Sequence, residues 1–209
     1  IDPFALLFKG YEDYALPIKI NVDFIRNLES IDKQKSQLSE DHPNFLSDFR
    51  DIIGGQYTVT RNDELYFIPK NNKNNKKNKL TMGESSSAVR SLLDIGFYLE
   101  HIAKKGDLLI IDEPELNLHP ENQRCIARLL AKLVNYGIKV FITTHSDYIV
   151  KELNTLIMLN SDKPHIKNVA EKEGYQENEL LNANQIRAYV AEENLVKIEG
   201  QMKHTRCHT

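Results

Sequence analysis

Two short apolar runs with an amphipathic segment between them constrain the fold of this chain more than any other feature. The runs, 107–112 and 138–145, are rich in Leu, Ile and Val and have the length of strands. The segment between them, 120–137, opens on proline, ends on glycine and repeats apolar residues at helical spacing. Strands joined by a helix of this length are parallel, with a right-handed crossover. The sequence therefore predicts an α/β fold.

The predicted parallel unit extends to both sides of these runs. Ser146 is placed to cap a short helix, and the apolar run 155–159 is predicted as a third strand, which makes a β-α-β-α-β unit. Continuous apolar runs also predict strands that are buried on both faces. Upstream, residues 80–106 predict an amphipathic helix. Its expected buried face comprises Val89, Leu92, Leu93, Gly96, Phe97 and Leu99.

The N-terminal part is predicted to mix helices with a hairpin. Helices are expected over 18–40, with Val22, Ile25, Leu28 and Ile31 as an apolar stripe, and over 43–53, where a glycine pair follows. Residues 56–69 predict a hairpin that turns at Asn62-Asp63. The Lys/Asn-rich residues 70–79 form a loop that could contact phosphates, although a charged run is more often a solvated loop.

The polar C-terminal part predicts a helix over 182–194 and a closing strand over 195–200. Cys125 and Cys207 match no metal-ligand spacing and no disulfide framework, so Cys125 is expected to act as a small apolar residue in a reducing, intracellular setting.

Charge and length exclude several classes of protein. A formal net charge of −3 gives no overall attraction to nucleic acid or to an anionic membrane. No apolar run approaches the ~20 residues of a membrane span, and no signal peptide is visible, which predicts a cytoplasmic protein. Residues 1–4 resemble vector-derived sequence, and the absence of an initiating Met suggests a piece of a longer chain.

Polar residues follow both predicted strands and should share one site. Ligands bind at the carboxyl ends of parallel strands, where Asp112 and Glu113 follow one strand and His145 follows the other. Asp112 suits a Mg²⁺ ion held directly or through water, and Glu113 could polarise a water for attack on phosphorus. His145 could donate a hydrogen bond to a phosphoryl oxygen. The alternative is that the two acids only cap the loop before the next helix.

Four segments resemble the motifs of a known family. Residues 108–114, "LLIIDEP", resemble the Walker B motif of ABC-type ATPases. Residues 115–123 and 140–154 resemble the following segment and the switch-histidine region of prokaryotic ATPases related to SMC proteins and the OLD (overcoming lysogenization defect) group. Residues 83–93, "GESSSAVRSLL", stand where the ABC signature loop would be, although the serines replace Ser-Gly-Gly-Gln. Among close relatives are ATPases of anti-phage systems such as Septu and some retrons.

The resemblance implies a parallel-sheet P-loop NTPase lobe of the ABC ATPase type that uses ATP and Mg²⁺. Asp112 would hold Mg²⁺, Glu113 would be the general base, and His145 would sense the γ-phosphate. Residues 116–119 would form the D-loop, which crosses a dimer interface. For Glu115, a structural and a catalytic role stay equally open.

The serine triplet has its own implied role, with a register uncertain by one residue. Of Ser85, Ser86 and Ser87, either Ser86 or Ser87 would present a hydroxyl and backbone N–H groups to the γ-phosphate of the partner's nucleotide.

One departure from the family pattern limits what this chain is expected to do alone. None of its nine glycines lies in a phosphate-binding loop, G-x-x-x-x-G-K-[ST], and no Q-loop is present. The chain therefore resembles the C-terminal lobe of a split nucleotide-binding domain, and it would need an N-terminal lobe that carries the Walker A loop. The implied division is 1–4, vector-derived; 5–55, helical remnant of an insertion or arm; 56–79, hairpin and loop; 80–160, ATPase C-terminal lobe; 161–209, helix and strand extension.

Three hypotheses about function remain after the sequence is read. The leading one is ATP hydrolysis by an ATP-dependent homodimer, in DNA repair or phage defence, with DNA or a nuclease as a further partner. The second is part of an ATPase-coupled nuclease, although residues 160–209 contain no Asp-x-Asp pair. The third is a non-catalytic interaction module on an ATPase scaffold, which would have no need of Glu113 or His145.

Overall fold

The computed structural model describes residues 34–60, 64–70, 79–198 and 201–208, with side chains as far as residue 191. The predicted stripe over Val22–Ile31, the turn at 61–63 and most of the Lys/Asn-rich loop lie outside these residues. Within the described part of the chain, no helix combines the length and apolar character needed to cross a membrane.

The N-terminal elements confirm the predicted helix and hairpin. They are α1 (Gln37–Asp41), α2 (Asn44–Ile53), β1 (Gly55–Val59), β2 (Leu65–Pro69) and β3 (Leu80–Thr81). α2 ends where Gly54 adopts the left-handed conformation, at φ 70°, which glycine tolerates without steric cost. β1, β2 and β3 form an antiparallel sheet in that order. This sheet is separate from that of the parallel strands, and β1 contacts α2.

The segment before the first parallel strand is helical but broken into turns. It consists of α3 (Ser87–Ser91), α4 (Leu93–Phe97) and a π-helical turn (Tyr98–Ile102). The whole predicted buried face, from Val89 to Leu99, is buried as expected. Gly96 is required there because a Cβ atom would lie 2.8 Å from the rings of both Phe49 and Tyr57. This segment therefore joins the N-terminal elements to the parallel unit.

The parallel unit confirms the predicted α/β fold class. Its elements are β4 (Leu108–Asp112), α5 (Pro120–Tyr136), β5 (Lys139–Thr143) and α6 (Asp147–Leu159). β4 and β5 are parallel, and their register pairs Leu108 with Lys139 and Asp112 with Thr143. Pro120 in the first turn of α5 and Gly137 at its end act as predicted. Cys125 on α5 packs against the core, and burial raises the pKa of its thiol.

The two faces of the parallel strands differ, which corrects the prediction of burial on both. Leu109, Ile111, Val140 and Ile142 face a core built by α2, α3, α4 and α5. On the opposite face Leu108, Ile110 and Phe141 are 62%, 67% and 52% exposed. The prediction was wrong because, in the described part of the chain, the helices pack on one side of the strands only.

The predicted third strand, 155–159, is also wrong. These residues are the last turns of α6, so the unit is β-α-β-α. Ile149, Leu156 and Leu159 recur at helical spacing on the buried face of α6, and Leu156 packs with residues of α5 and with Leu181. The short apolar run therefore continues the buried stripe of a helix, which periodicity alone does not distinguish from a strand.

The C-terminal part folds differently from its prediction as well. It contains α7 (Pro164–Lys172), 3₁₀ turns at Glu177–Glu179 and Ala183–Gln185, and the antiparallel strands β6 (Val190–Ile198) and β7 (Gln201–His208). The helix predicted over 182–194 reduces to one 3₁₀ turn, which Asn182 and Gln185 close by reciprocal side-chain hydrogen bonds. The predicted strand over 195–200 falls within β6 as far as residue 198. It pairs with β7 and does not close the parallel sheet.

Candidate functional site

The parallel register brings Asp112 to the carboxyl end of β4, opposite Thr143 at the end of β5. The Thr143 hydroxyl donates a hydrogen bond to Asp112 Oδ1. The Asp112 side chain is otherwise exposed, and among the described residues it pairs with no lysine or arginine. Its charge is therefore accessible at the strand end.

Glu113 leaves the strand in a strained backbone conformation. Its φ is 47°, in the left-handed region that non-glycine residues rarely occupy. Two hydrogen bonds hold it there, because its N–H donates to the Thr143 carbonyl oxygen at 3.1 Å and to the Thr143 hydroxyl at 3.2 Å. Strain of this kind costs about 1–3 kcal/mol and is commonly found at functional sites. The strain makes Glu113 a candidate for chemistry.

His145 is the third group at this edge of the sheet. Its Nε2 lies 3.6 Å from Glu113 Oε1, which is too long for a hydrogen bond. The imidazole is 91% exposed and the Glu113 side chain 40% exposed. A solvent-accessible phosphate could therefore approach a carboxylate and an imidazole that are already adjacent.

The loop after β4 turns twice before α5 begins. The Leu116 N–H donates to the Glu113 carbonyl and the Leu118 N–H to the Glu115 carbonyl, each at 3.0 Å. Leu118 is buried, whereas Leu116 is 53% exposed. Asn117 takes a left-handed conformation at φ 62°, which asparagine tolerates. The loop predicted to cross a dimer interface therefore presents a large apolar side chain to solvent.

A second set of polar groups, Glu115 and Gln123, lies behind the site; the sequence left the role of Glu115 open and indicated none for Gln123. Glu115 Oε1 accepts hydrogen bonds from the Thr144 hydroxyl and from the His145 N–H, both at 2.8 Å. Gln123 donates to the Leu118 carbonyl and accepts from the Ser146 hydroxyl. These contacts tie the loop after β4 to the segment after β5. The motif itself contained both residues, but its spacing does not reveal which partners they meet.

The three candidate serines lie at the start of α3, where their hydrogen bonds are local. Ser85 is buried, and its hydroxyl donates to the Thr81 carbonyl at 2.9 Å. Ser86 is exposed and caps α3 by accepting from the Val89 N–H at 3.3 Å, and Ser87 is the first helical residue and exposed. No contact within the described residues joins them to Asp112, Glu113 or His145. A shared role would therefore require a ligand or a second copy of the chain that contacts both groups.

The residues at the strand ends fit a Mg²⁺ ion that is brought by a phosphate ligand. The Asp112 carboxylate and the Thr143 hydroxyl provide oxygen atoms, which Mg²⁺ prefers. The described residues include no cluster of three or more His, Cys, Asp or Glu side chains that would hold a metal by themselves. Mg²⁺ commonly binds through one or two carboxylates together with waters and substrate phosphates, which agrees with this arrangement.

Comparison with known proteins identifies the family. The AAA ATPase domain family matches residues 10–150, and the chain belongs to it. It is therefore a domain of an ATP-binding class of ATPases. The matched residues include the serine triplet, Asp112, Glu113 and His145.

A solved structure of an SMC ATPase, from work on ATP-driven dimerisation and DNA-stimulated activation, is 14% identical. The similarity covers 88% of this chain and 87% of that one, with a TM-score of 0.40. No curated protein matches the chain.

Proposed function

We propose that this chain provides the hydrolytic half of an ATP site, which a phosphate-binding loop outside these 209 residues completes. The observation that carries the proposal is the grouping of Asp112, Glu113 and His145 at the carboxyl ends of two parallel strands. Neither carboxylate pairs with a lysine or arginine among the described residues, and both are solvent-accessible. Membership of the AAA ATPase domain family supports ATP as the ligand.

Each group has a distinct chemical task in this proposal. Asp112 would hold Mg²⁺, which neutralises charge on the β- and γ-phosphates when bound. Glu113 accepts a proton from water as the water oxygen attacks the γ-phosphorus. The bond between that phosphorus and the β–γ bridging oxygen breaks, which releases ADP and phosphate. His145 donates a hydrogen bond to a γ-phosphate oxygen and stabilises the charge that develops there.

The proposed active form is an ATP-dependent homodimer. The loop 116–119 would lie at the interface, and its exposed Leu116 offers an apolar contact. Ser91 donates a hydrogen bond to the Leu116 carbonyl at 3.1 Å. This loop is therefore joined to α3, the helix that begins at Ser87. Ser86 and Ser87, whose side chains are exposed, would face the partner's nucleotide. Ser85 is the least accessible of the three because its hydroxyl is already engaged.

We place this ATPase in the OLD-type group, in DNA repair or phage defence, on the family resemblance of its motifs. DNA or a nuclease is the further partner proposed on the same basis, and the setting is cytoplasmic. The alternatives are a non-catalytic module and a metal-dependent nuclease. Cleavage of DNA by the purified chain, with loss of cleavage in Asp112→Ala, would favour the nuclease.

The test is ATP hydrolysis by the full-length protein with and without Mg²⁺. We expect Mg²⁺-dependent release of phosphate, and we expect Asp112→Asn to reduce kcat/KM about 100-fold or more because one metal-binding charge is lost. Glu171→Gln is the matched control, because Glu171 is an exposed glutamate on α7, and this variant should retain wild-type activity. Hydrolysis that persists without Mg²⁺, or is unchanged in Asp112→Asn, would contradict the assignment.

A further inference from the structure

Glu115 connects the two loops that carry the proposed catalytic groups. It lies in the loop after β4, two residues beyond Glu113, and its Oε1 atom reaches the segment after β5. There it accepts from the Thr144 hydroxyl and from the His145 N–H, each at 2.8 Å. Hydrogen bonds to a carboxylate are shorter and stronger than those between neutral groups. The backbone of His145 is thus fixed directly to the loop that contains Glu113.

Gln123 makes a second connection between the same loops. Its Nε2 donates to the Leu118 carbonyl at 3.0 Å, and its Oε1 accepts from the Ser146 hydroxyl. Ser146 also caps α6 by accepting from the N–H groups of Tyr148 and Ile149. The residue that follows His145 is therefore held between the β4 loop and the start of a helix.

The imidazole of His145 makes no comparable contact. It is 91% exposed, and among the described residues its Nε2 has one ion-pair contact, with Glu113 Oε1 at 3.6 Å. Its location is therefore set by its backbone, whose N–H is bonded to Glu115 and whose next residue, Ser146, is bonded through its hydroxyl to Gln123. A displacement of reacting groups of about 1 Å can reduce a rate about 100-fold.

We propose that Glu115 is a positioning residue that holds the backbone of His145 in register with Glu113. The effect of Glu115 on catalysis rests on the proposed ATP hydrolysis, whereas the hydrogen bond between Glu115 and the His145 N–H does not depend on it. Glu115 would set the distance between imidazole and carboxylate, and Gln123 would support it from the other side of the segment. Glu115 would thus affect catalysis by positioning His145 and would take no part in a chemical step.

The chemistry of Glu115 provides a conservative variant. Only Oε1 accepts the two hydrogen bonds, whereas Oε2 is buried and has no hydrogen-bond partner among the described residues. Glu115→Gln retains an acceptor oxygen for both donors, loses the charge and places an NH₂ group at the buried Oε2 position. Glu115→Ala removes the acceptor. Glu121→Ala is the control, because Glu121 is an exposed glutamate in the first turn of the nearby α5.

Amide hydrogen exchange at His145 tests the contact without any assay of ATP hydrolysis. In the full-length protein, Glu115→Ala should accelerate exchange of the His145 N–H by about tenfold or more, because its acceptor is lost. Glu115→Gln should remain within about threefold of wild type, and Glu121→Ala should not change it. Unchanged exchange in Glu115→Ala, or equal acceleration in both Glu115 variants, would overturn the proposal.

Steady-state ATP hydrolysis then tests the consequence of the contact. Glu115→Ala should lower kcat about 10- to 100-fold with KM within about threefold, and Glu115→Gln should recover most of the loss. Faster exchange in Glu115→Ala with an unchanged kcat would overturn the positioning role. A wild-type protein that hydrolyses no ATP would refute the proposed function, and the exchange result would still decide the contact between Glu115 and His145.

Discussion

Carboxylates serve opposite purposes in two regions of this molecule. Where α6 meets α5, Glu152 of α6 is 3% exposed and lies 2.7 Å from Arg124 Nε and 2.6 Å from Arg128 Nε of α5. At the carboxyl ends of β4 and β5, Asp112 and Glu113 are accessible, and their contacts within the described residues are with hydroxyl, backbone and imidazole groups. The first region neutralises its charge within the protein, and the second leaves it available to a ligand.

A second buried cluster repeats the pattern of the first region. Lys132 is 4% exposed, and its ammonium group reaches Asp48 at 2.7 Å, Gln176 at 3.1 Å and Glu179 at 3.2 Å. Two of the three donors of the ammonium group make hydrogen bonds, to Asp48 and Gln176, and Glu179 lies at ion-pair distance. These contacts join α2, α5 and the 3₁₀ turn at Glu177–Glu179. Pairing with lysine or arginine therefore distinguishes the structural acids Glu152 and Glu179 from the candidate functional acids Asp112 and Glu113.

The largest expected effect on stability comes from breaking the Lys132 cluster. Lys132→Met should lower the free energy of unfolding by about 3–5 kcal/mol, because it leaves the buried Glu179 without a counter-charge. Chemical denaturation monitored by circular dichroism would measure it. Lys151→Met is the matched control, since Lys151 forms an exposed pair with Asp147 and should change stability by less than about 0.5 kcal/mol. Equal effects of the two variants would undermine the structural role of the buried cluster.

A smaller effect should appear when pH is lowered. Burial disfavours the charged form of Glu152, but hydrogen bonds from Arg124 and Arg128 outweigh burial and lower the pKa of this carboxyl from 4.5. The folded state therefore binds its proton less readily than the unfolded state, so the stabilisation is present above pH 4.5 and is lost as pH falls through the folded pKa. Thermal melts between about pH 3 and about pH 7 would measure this effect. As pH falls, the melting temperature of Glu152→Gln should decrease less steeply than that of the wild type. An identical dependence in the variant would contradict the pairing.

The smallest effect is expected at the strand ends. Asp112→Asn retains an acceptor for the Thr143 hydroxyl and removes one of two adjacent negative charges. The free energy of unfolding should therefore stay within about 1 kcal/mol of wild type, in contrast to Lys132→Met. A loss of several kcal/mol would mean that the acids at this edge are structural.

The sequence predicted those parts of the site that depend on local pattern. The apolar runs, Pro120 and Gly137 define β4, α5 and β5, and parallel pairing then places Asp112 and Glu113 near His145. The contacts of Glu115 and Gln123 with the segment after β5 were not predictable, because they join residues 29 and 23 positions apart and depend on loop geometry.

Two other features of the fold could not be predicted from the apolar pattern of the sequence. By their sequence, residues 155–159 fit a strand or a buried helix equally well. The packing of Leu156 against α5 distinguishes the two. The exposure of Ile110 depends on which side of the sheet the helices pack, and an apolar run of this kind does not specify the side.

The most direct test of the central claim is hydrolysis by Glu113→Gln in the full-length protein. Loss of a general base should reduce kcat about 100- to 10,000-fold while ATP is still bound, so that an ATP-bound dimer accumulates. Phosphate release and size-exclusion chromatography with light scattering would measure both outcomes, with Glu171→Gln as the control. A variant that hydrolyses ATP within about threefold of the wild-type rate would contradict the assignment of Glu113 as the base.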